Sequence, residues 1–140
     1  MRAAAFQGGR FRAMPGFFSN ANDLAKVLQL YLNQEATEVK NTYPKETCRL
    51  FTQSKSPTCR RGLGFDKPVA GGGKASPCGS LAPASVYGHT GFTGTCFWVD
   101  PDNNLLYIFL SNRVTDTANN KLGSLDIRTR IQDAIYKAIK

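Results

Sequence analysis

Tyr87-Gly88-His89-Thr90-Gly91-Phe92-Thr93-Gly94-Thr95-Cys96-Phe97-Trp98-Val99-Asp100-Pro101-Asp102-Asn103-Asn104-Leu105-Leu106-Tyr107-Ile108-Phe109-Leu110-Ser111-Asn112 decides the fold of this 140-residue chain. Thr95–Val99 and Leu105–Leu110 read as strands by their β-branched and aromatic content. Asp100-Pro101-Asp102-Asn103-Asn104 between them is turn chemistry, so the pair forms an antiparallel hairpin. The second strand is almost continuously apolar, which predicts cover on both faces. At the head of the stretch, three glycines and three threonines crowd the start of a strand, where another backbone or a ligand can approach closely. His89 is the only histidine in the chain. A lone histidine is more often structural, but its place beside Thr90 and Gly91 at a strand edge favours a functional role.

Helices flank this β region. Ser19-Asn20-Ala21-Asn22-Asp23 opens one: Asn20 caps, and Asp23 completes a box-like pattern beside the positive end of the helix dipole. Leu24, Val27, Leu28 and Tyr31 give it a buried face, ending near Asn33. Pro44 begins a shorter helix through Phe51, since proline in the first turn loses no needed donor. Residues 53–86 contain six Gly, four Pro and five Ser and form a loop region. Within it, Gly62-Leu63-Gly64-Phe65 reads as a short strand. From Ser124 to Lys140, Ile127, Ile131, Ala134, Ile135 and Ala138 define one face of a terminal helix, and Lys137 and Lys140 suit its C-terminal end. The order α–α–loop–β-hairpin–α is α+β, with helices laid on one face of an antiparallel sheet.

Length and composition bound the rest. A 140-residue chain is one domain with a real core. Hydrophobic content of 41% with 20% charged residues argues against wholesale disorder. No run of 18 apolar residues occurs, so no membrane span is expected, and no repeat of solenoid or heptad period is present. The net charge is +8. Its excess lies in residues 1–22 (Arg2, Arg10, Arg12) and 40–74. A basic balance permits binding to nucleic acid, anionic envelope polymers or acidic lipid. A solvated basic face is the simpler reading, and no nucleic-acid module accompanies the charge. Of the four cysteines, Cys59 and Cys78 flank a Gly-rich loop that a disulfide would stabilise by roughly 3 kcal/mol. Cys48 and Cys96 lie among apolar residues and read as buried thiols. A zinc site from Cys59, Cys78, His89 and Cys96 lacks paired close ligands, so no metal and no cofactor are expected. The N-terminus has no apolar signal region; it is Arg-rich and acid-free, superficially like a transit peptide.

The His89 segment resembles the third motif of the serine β-lactamase and penicillin-binding-protein superfamily. That motif is usually Lys-Thr-Gly, with His-Thr-Gly in some peptidase and esterase-like members. Further strings are similar to the family's. Gly16-Phe17-Phe18-Ser19-Asn20-Ala21-Asn22-Asp23-Leu24-Ala25 resembles its Gly-Leu-Phe-Ser-x-Ala-x-Asp-Leu-Ala segment, and Gly62-Leu63-Gly64-Phe65 its short strand. Phe97-Trp98-Val99-Asp100-Pro101 and Leu110-Ser111-Asn112-Arg113 resemble the strand-turn-strand after the third motif. Asn119-Asn120-Lys121 and the terminal helix fit too. The resemblance identifies residues 16–140 as similar to the C-terminal portion of such a domain. Its flavour is that of the envelope-associated group in Bacteroidetes-like bacteria, some fused behind a family-three glycoside hydrolase. Residues 1–15 are a poorly defined N-terminal segment: Ala13-Met14-Pro15-Gly16 stands where the family often has Gly-His-Ala. Residue 1 is therefore expected not to be a natural domain boundary.

The resemblance implies site roles. His89 and Thr90 would contact the substrate carboxylate, and Gly91 would leave room for the acyl group. The Phe92 backbone N–H would be one of two oxyanion donors, each worth about 3 kcal/mol when preorganised. The family's nucleophile lies in Ser-x-x-Lys, and none of the serines at 19, 54, 56, 76, 80, 85, 111 and 124 has lysine three residues on. Tyr31-Leu32-Asn33 matches the family's Tyr-x-Asn as a string, but its place is wrong; it reads as a packing tyrosine and a helix-end asparagine. The expected function is a partial serine hydrolase, inactive alone, acting in the full protein on a small-molecule or peptidoglycan-like substrate in the periplasm or cell envelope. The alternative is a non-catalytic module binding carboxylate-bearing or anionic envelope ligands. Nucleic-acid binding is the weakest reading. Missing strands would leave a sheet edge and Phe97, Trp98 and Tyr107 uncovered, which predicts homo-oligomers or aggregation.

Overall fold

A computed structural model describes residues 19–33, 44–54, 56, 58–69, 76–114 and 121–139. Helix α1 spans Ala21–Leu32 and α2 Lys45–Thr52. Strands β1 (Tyr87–Thr90), β2 (Cys96–Asp100) and β3 (Leu105–Phe109) follow, and α3 (Ile127–Ala138) ends the chain's described part. The strands form an antiparallel meander in the order β1-β2-β3. The register pairs Tyr87 with Val99, His89 with Phe97 and Trp98 with Tyr107.

Local chemistry sets the helix ends. The Asn20 side-chain oxygen accepts the Asp23 N–H at 3.0 Å, and its amide donates back to the Asp23 carboxylate at 2.7 Å. This is the expected reciprocal cap. At the other end the Asn33 N–H donates to Gln29 O, so Asn33 closes the helix. Tyr31 packs edge-on against Phe65, at 5.1 Å between ring centres. The Tyr31-Leu32-Asn33 string is thus a core tyrosine followed by a helix cap.

The α+β class holds, but the helices lie on both faces of the sheet rather than one. The pleat sends alternate residues to opposite sides. Tyr87, Val99, Phe97, Leu106 and Ile108 meet Leu24, Leu28, Tyr31 and Leu32 of α1, with Phe65. Cys96, Trp98, Tyr107 and Phe109 meet Ile135 of α3, with Cys78, Ala82 and Val86. Each face of β3 therefore touches a core cluster, although Tyr107 alone is fully buried there. Trp98 and Tyr107, expected to be uncovered, are 2% and 5% exposed, because α3 lies over them.

The face that α3 buries also departs from expectation. Gln132 and Tyr136 go inside, while Ile131 stays 37% exposed. Ile127, Arg130, Ile131 and Ala134 line an open hollow of about 310 Å³. Hydrogen bonding explains the choice. Gln132 Oε1 accepts the Gly79 N–H at 2.7 Å, and the Tyr136 hydroxyl donates to Asp100 Oδ2 at 2.7 Å. Asp100 is buried and also accepts the N–H groups of Asp102 and Asn103 and the Asn103 amide. The β2–β3 turn is thereby tied to α3, and Asn104 takes the left-handed conformation that asparagine tolerates (φ 48°).

Gly62-Leu63-Gly64-Phe65 is not a strand. A Cβ on Gly62 would lie 2.6 Å from Phe51 O and 2.8 Å from Gln53 O, so the segment wraps tightly over the end of α2. It delivers Phe65 to the core and Asp66 to the outer edge of β1. There Asp66 and Gly88 exchange both backbone hydrogen bonds, at 2.7 and 3.0 Å, as a single bridge. Cys59 and Cys78, which a disulfide could have joined, are both free, Cys59 exposed and Cys78 buried. Cys48 and Cys96 are buried thiols, as their apolar neighbours predicted. No described helix is long and apolar enough to cross a membrane.

Candidate functional site

His89, Thr90, Gly91 and Phe92 run up β1 to the tip of a hairpin. Sequence reading put the three glycines at the start of a strand; Gly88 does lie in β1, but at Gly91 and Gly94 the chain turns. Gly91 N–H donates to Thr95 O at 2.7 Å, and Gly94 N–H to Gly91 O at 3.0 Å. Gly94 takes φ +95°. This is a three-residue hairpin loop, Phe92-Thr93-Gly94, closed by glycine at the left-handed position. A Cβ on Gly91 would collide with the Thr95 hydroxyl, and one on Gly94 would lie 2.6 Å from Ser111 Oγ.

His89 and Thr90 are half-buried, and Phe92 at the tip is 70% exposed. His89 shares the α1 face of the sheet with its partner Phe97. Its Nδ1 lies 2.7 Å from Thr90 O. A carbonyl only accepts, so the geometry assigns the proton to Nδ1 and leaves Nε2 to a ligand. Strand alternation directs the backbone groups of Gly88 and Thr90 to the outer edge of β1. Asp66 occupies Gly88, whereas Thr90 has no strand partner there among the described residues. The Phe92 and Thr93 N–H groups likewise donate to no partner among the described residues. The site thus offers an imidazole, a hydroxyl and, among the described residues, an unpaired strand edge and two amides without acceptors.

Two arginines hold the tip from behind, and sequence reading did not single them out. Arg113 Nε donates to Phe92 O at 2.6 Å, its backbone N–H donates to Thr93 O at 2.8 Å, and its guanidinium lies 5.4 Å from the centre of the Phe92 ring. Arg128 reaches Gly94 O and Thr95 O at 3.4 Å each. Arg113 stands in the Leu110–Arg113 string already noted, but nothing local to it signals a contact 21 residues back. Ser111 Oγ, beneath Gly94, is buried without a hydrogen-bond partner.

Below the site, Asp66 anchors the bridge to β1. It is 1% exposed and takes a two-point contact from Arg60 at 2.7 and 2.9 Å, with the Arg61 guanidinium at 3.5 Å. Burial opposes its ionisation. The Arg60 and Lys67 N–H bonds and the two arginine charges outweigh that, and hold the carboxyl below the usual aspartate range. Burial pulls the Lys67 ammonium down; it donates to Thr52 O and Ser85 O. Burial pushes the Cys96 thiol up to about 11. Cys59, Cys78, His89 and Cys96 do not converge: among the described residues no group of three or more His, Cys, Asp or Glu is placed to hold a metal ion.

Comparison with known proteins gives the family. The family profile described as Beta-lactamase matches residues 2–128. The "Putative D-alanyl-D-alanine carboxypeptidase" of Escherichia coli, in strain K12 and in O157:H7, is 34% identical over 148 aligned positions, covering 98% of this chain. The protein of the same name in Salmonella typhi is 33% identical over 136 positions and 89% of this chain. This chain spans about a third of the length of these relatives, 34% and 31% respectively. With the profile covering most of its residues, the chain belongs to the beta-lactamase family of serine hydrolases and penicillin-binding proteins.

Proposed function

We propose that His89, Thr90, Gly91 and Phe92 form one wall of an acyl-transfer pocket of the β-lactamase, DD-peptidase or esterase kind. The observation that carries this reading is that His89 and Thr90 lie on β1, whose outer edge past the Asp66 bridge is unpaired among the described residues, and lead to an exposed turn whose Phe92 amide donates to no partner among them. In the proposed reaction a serine hydroxyl attacks the substrate carbonyl. The Phe92 N–H and the nucleophile's own N–H hold the oxyanion, the leaving group departs, and water cleaves the resulting ester. In its imidazolium form His89 donates Nδ1–H to Thr90 O and Nε2–H to the substrate carboxylate, beside the Thr90 hydroxyl. The relatives' name favours a peptide ending in D-alanyl-D-alanine and an envelope or periplasmic location. An extended peptide would add to the β1 edge beyond the Asp66 bridge.

These 140 residues contain no Ser-x-x-Lys. The chain by itself is therefore expected not to acylate; a stoichiometric adduct with a fluorescent penicillin would overturn that. The wall is tested by titrating the chain with acetyl-D-alanyl-D-alanine. Removing a charge-assisted bond with His89→Ala should weaken binding by about ten- to hundredfold. An unbound wild type, or binding indifferent to His89→Ala, removes the reading.

The +8 net charge favours a second reading, a non-catalytic module for anionic envelope ligands. Polyphosphate should then compete with the peptide, whereas the acyl pocket predicts no competition. In either case we propose that the chain self-associates through the outer edge of β3, which is unpaired among the described residues. A monodisperse monomer in light scattering would contradict this.

A further inference from the structure

The hairpin turn owes its free amides to what grips its carbonyls. A trans peptide points its C=O and its N–H in opposite directions, and no peptide bond among the described residues is cis. The Gly91 carbonyl is held inside the turn by the Gly94 N–H, which sends the Phe92 N–H outward. The next peptide, between Phe92 and Thr93, is the centre of the turn. Its carbonyl would ordinarily face solvent and leave that plane free to rotate. Here the Arg113 Nε holds it at 2.6 Å, so the Thr93 N–H points away from the guanidinium. The backbone N–H of Arg113 holds the following carbonyl, and its guanidinium rests over the exposed Phe92 ring. One residue thus grips both carbonyls and the ring of the dipeptide at the tip.

We infer that Arg113 is the positioning residue of this site: it locks the central Phe92–Thr93 peptide of the Gly91–Gly94 turn and so restrains the adjoining Gly91–Phe92 peptide, held on its other side by the Gly94 N–H, whose Phe92 amide would stabilise the oxyanion. The inference rests on the proposed role of Phe92 N–H and adds the device that preorganises it. A donor that must rotate into place at the moment of reaction loses most of its effect, so a fixed plane is what such a site requires. Arg113 acts through Phe92 and touches no reacting atom.

The test is amide NMR on the ¹⁵N-labelled 140-residue chain. In Arg113→Ala the Thr93 and Phe92 amide resonances should move, and the Gly94 amide should exchange about ten- to hundredfold faster, the loss of one charge-assisted bond. The paired amides of Trp98 and Tyr107 should keep their protection, which reports an intact sheet. Arg113→Lys retains a cation within reach of Phe92 O and should restore most of the Gly94 protection. Phe92→Ala removes the ring but not the grip, and should leave Gly94 exchange within about twofold of wild type. Gly94 exchange unchanged in Arg113→Ala, or lost equally in Phe92→Ala, overturns the inference. Should Arg113→Ala not fold, Arg113→Lys decides alone: unchanged Thr93 and Phe92 resonances there would overturn it, and a partial shift with faster Gly94 exchange would support it. Titration of wild type with acetyl-D-alanyl-D-alanine separates the two ideas. Failure of the peptide to move the Phe92 amide removes the pocket and leaves the clamp; an unmoved turn in Arg113→Ala removes the clamp and leaves the pocket.

Discussion

Gly88 sits where β1 passes closest to its neighbour. A Cβ there would collide with Phe97 O and lie 2.6 Å from Trp98 Cε3. Neither atom can yield, because one is ladder backbone and the other a buried ring. Gly88→Ala should therefore destabilise the chain by about 2–4 kcal/mol in urea unfolding, in the range of core overpacking with backbone shift. Asp66, paired to Gly88 through the backbone, makes a second single-residue case. Its carboxyl is held below the usual range in the folded chain, so its contribution is full above the unfolded value near 3.8 and disappears as pH falls through the folded value. Stability should drop below about pH 4, and Asp66→Asn should flatten that limb of the pH–stability curve while lowering the plateau above it. The short-range chemistry here was legible in sequence: His89-Thr90-Gly91 and the Asn20 cap each announce themselves within four residues. Arg113 was not, because its meaning arises when the chain folds back 21 positions to Phe92.

Among the elements, α1 follows its sequence most closely. Leu24, Leu28 and Tyr31 repeat at helical spacing and all reach the core, though Val27 of the same stripe is 45% exposed. Asn20 supplies the cap, and Asn20→Ala should cost about 1 kcal/mol of stability in denaturant titration. In α3 the pattern misleads. Its isoleucine stripe predicts one buried face, yet polar groups on a neighbouring face have fixed partners in Gly79 and Asp100. A buried carboxylate needs its hydrogen bonds more than a half-covered isoleucine needs burial, and apolar periodicity carries no information about that. Tyr136→Phe tests the balance. It keeps the ring volume but withdraws one donor from buried Asp100, and should lower stability by about 1–3 kcal/mol. The hairpin at 91–95 was hidden for a related reason: Gly91 and Gly94 suit a close-approach strand and a glycine-closed loop equally well, and the Thr95 and Arg113 contacts decide between them.

Across the whole molecule the sheet divides the core into two layers, and that division sets the fate of the cysteines. Cys78 and Cys96 lie in the α3-side cluster with Trp98 and Tyr107, and Cys48 is buried on α2. Cys59 stands in the exposed segment beyond α2. Flanking a glycine-rich loop suggested that Cys59 and Cys78 would meet, but sequence spacing does not reveal which layer each end enters. The thiols of Cys78 and Cys96 are also pushed up by burial, which disfavours the reactive thiolate. Native chain treated with excess iodoacetamide at pH 8 should therefore gain a single adduct, at Cys59, in intact-mass and peptide mass spectrometry. In denaturant all four should react. Rapid native labelling of Cys78 or Cys96 would mean that α3 does not seal its face of the sheet, and with it the two-layer core would fail. Resistance of Cys59 in the native chain, reversed by a reductant, would instead restore the disulfide that the structure excludes.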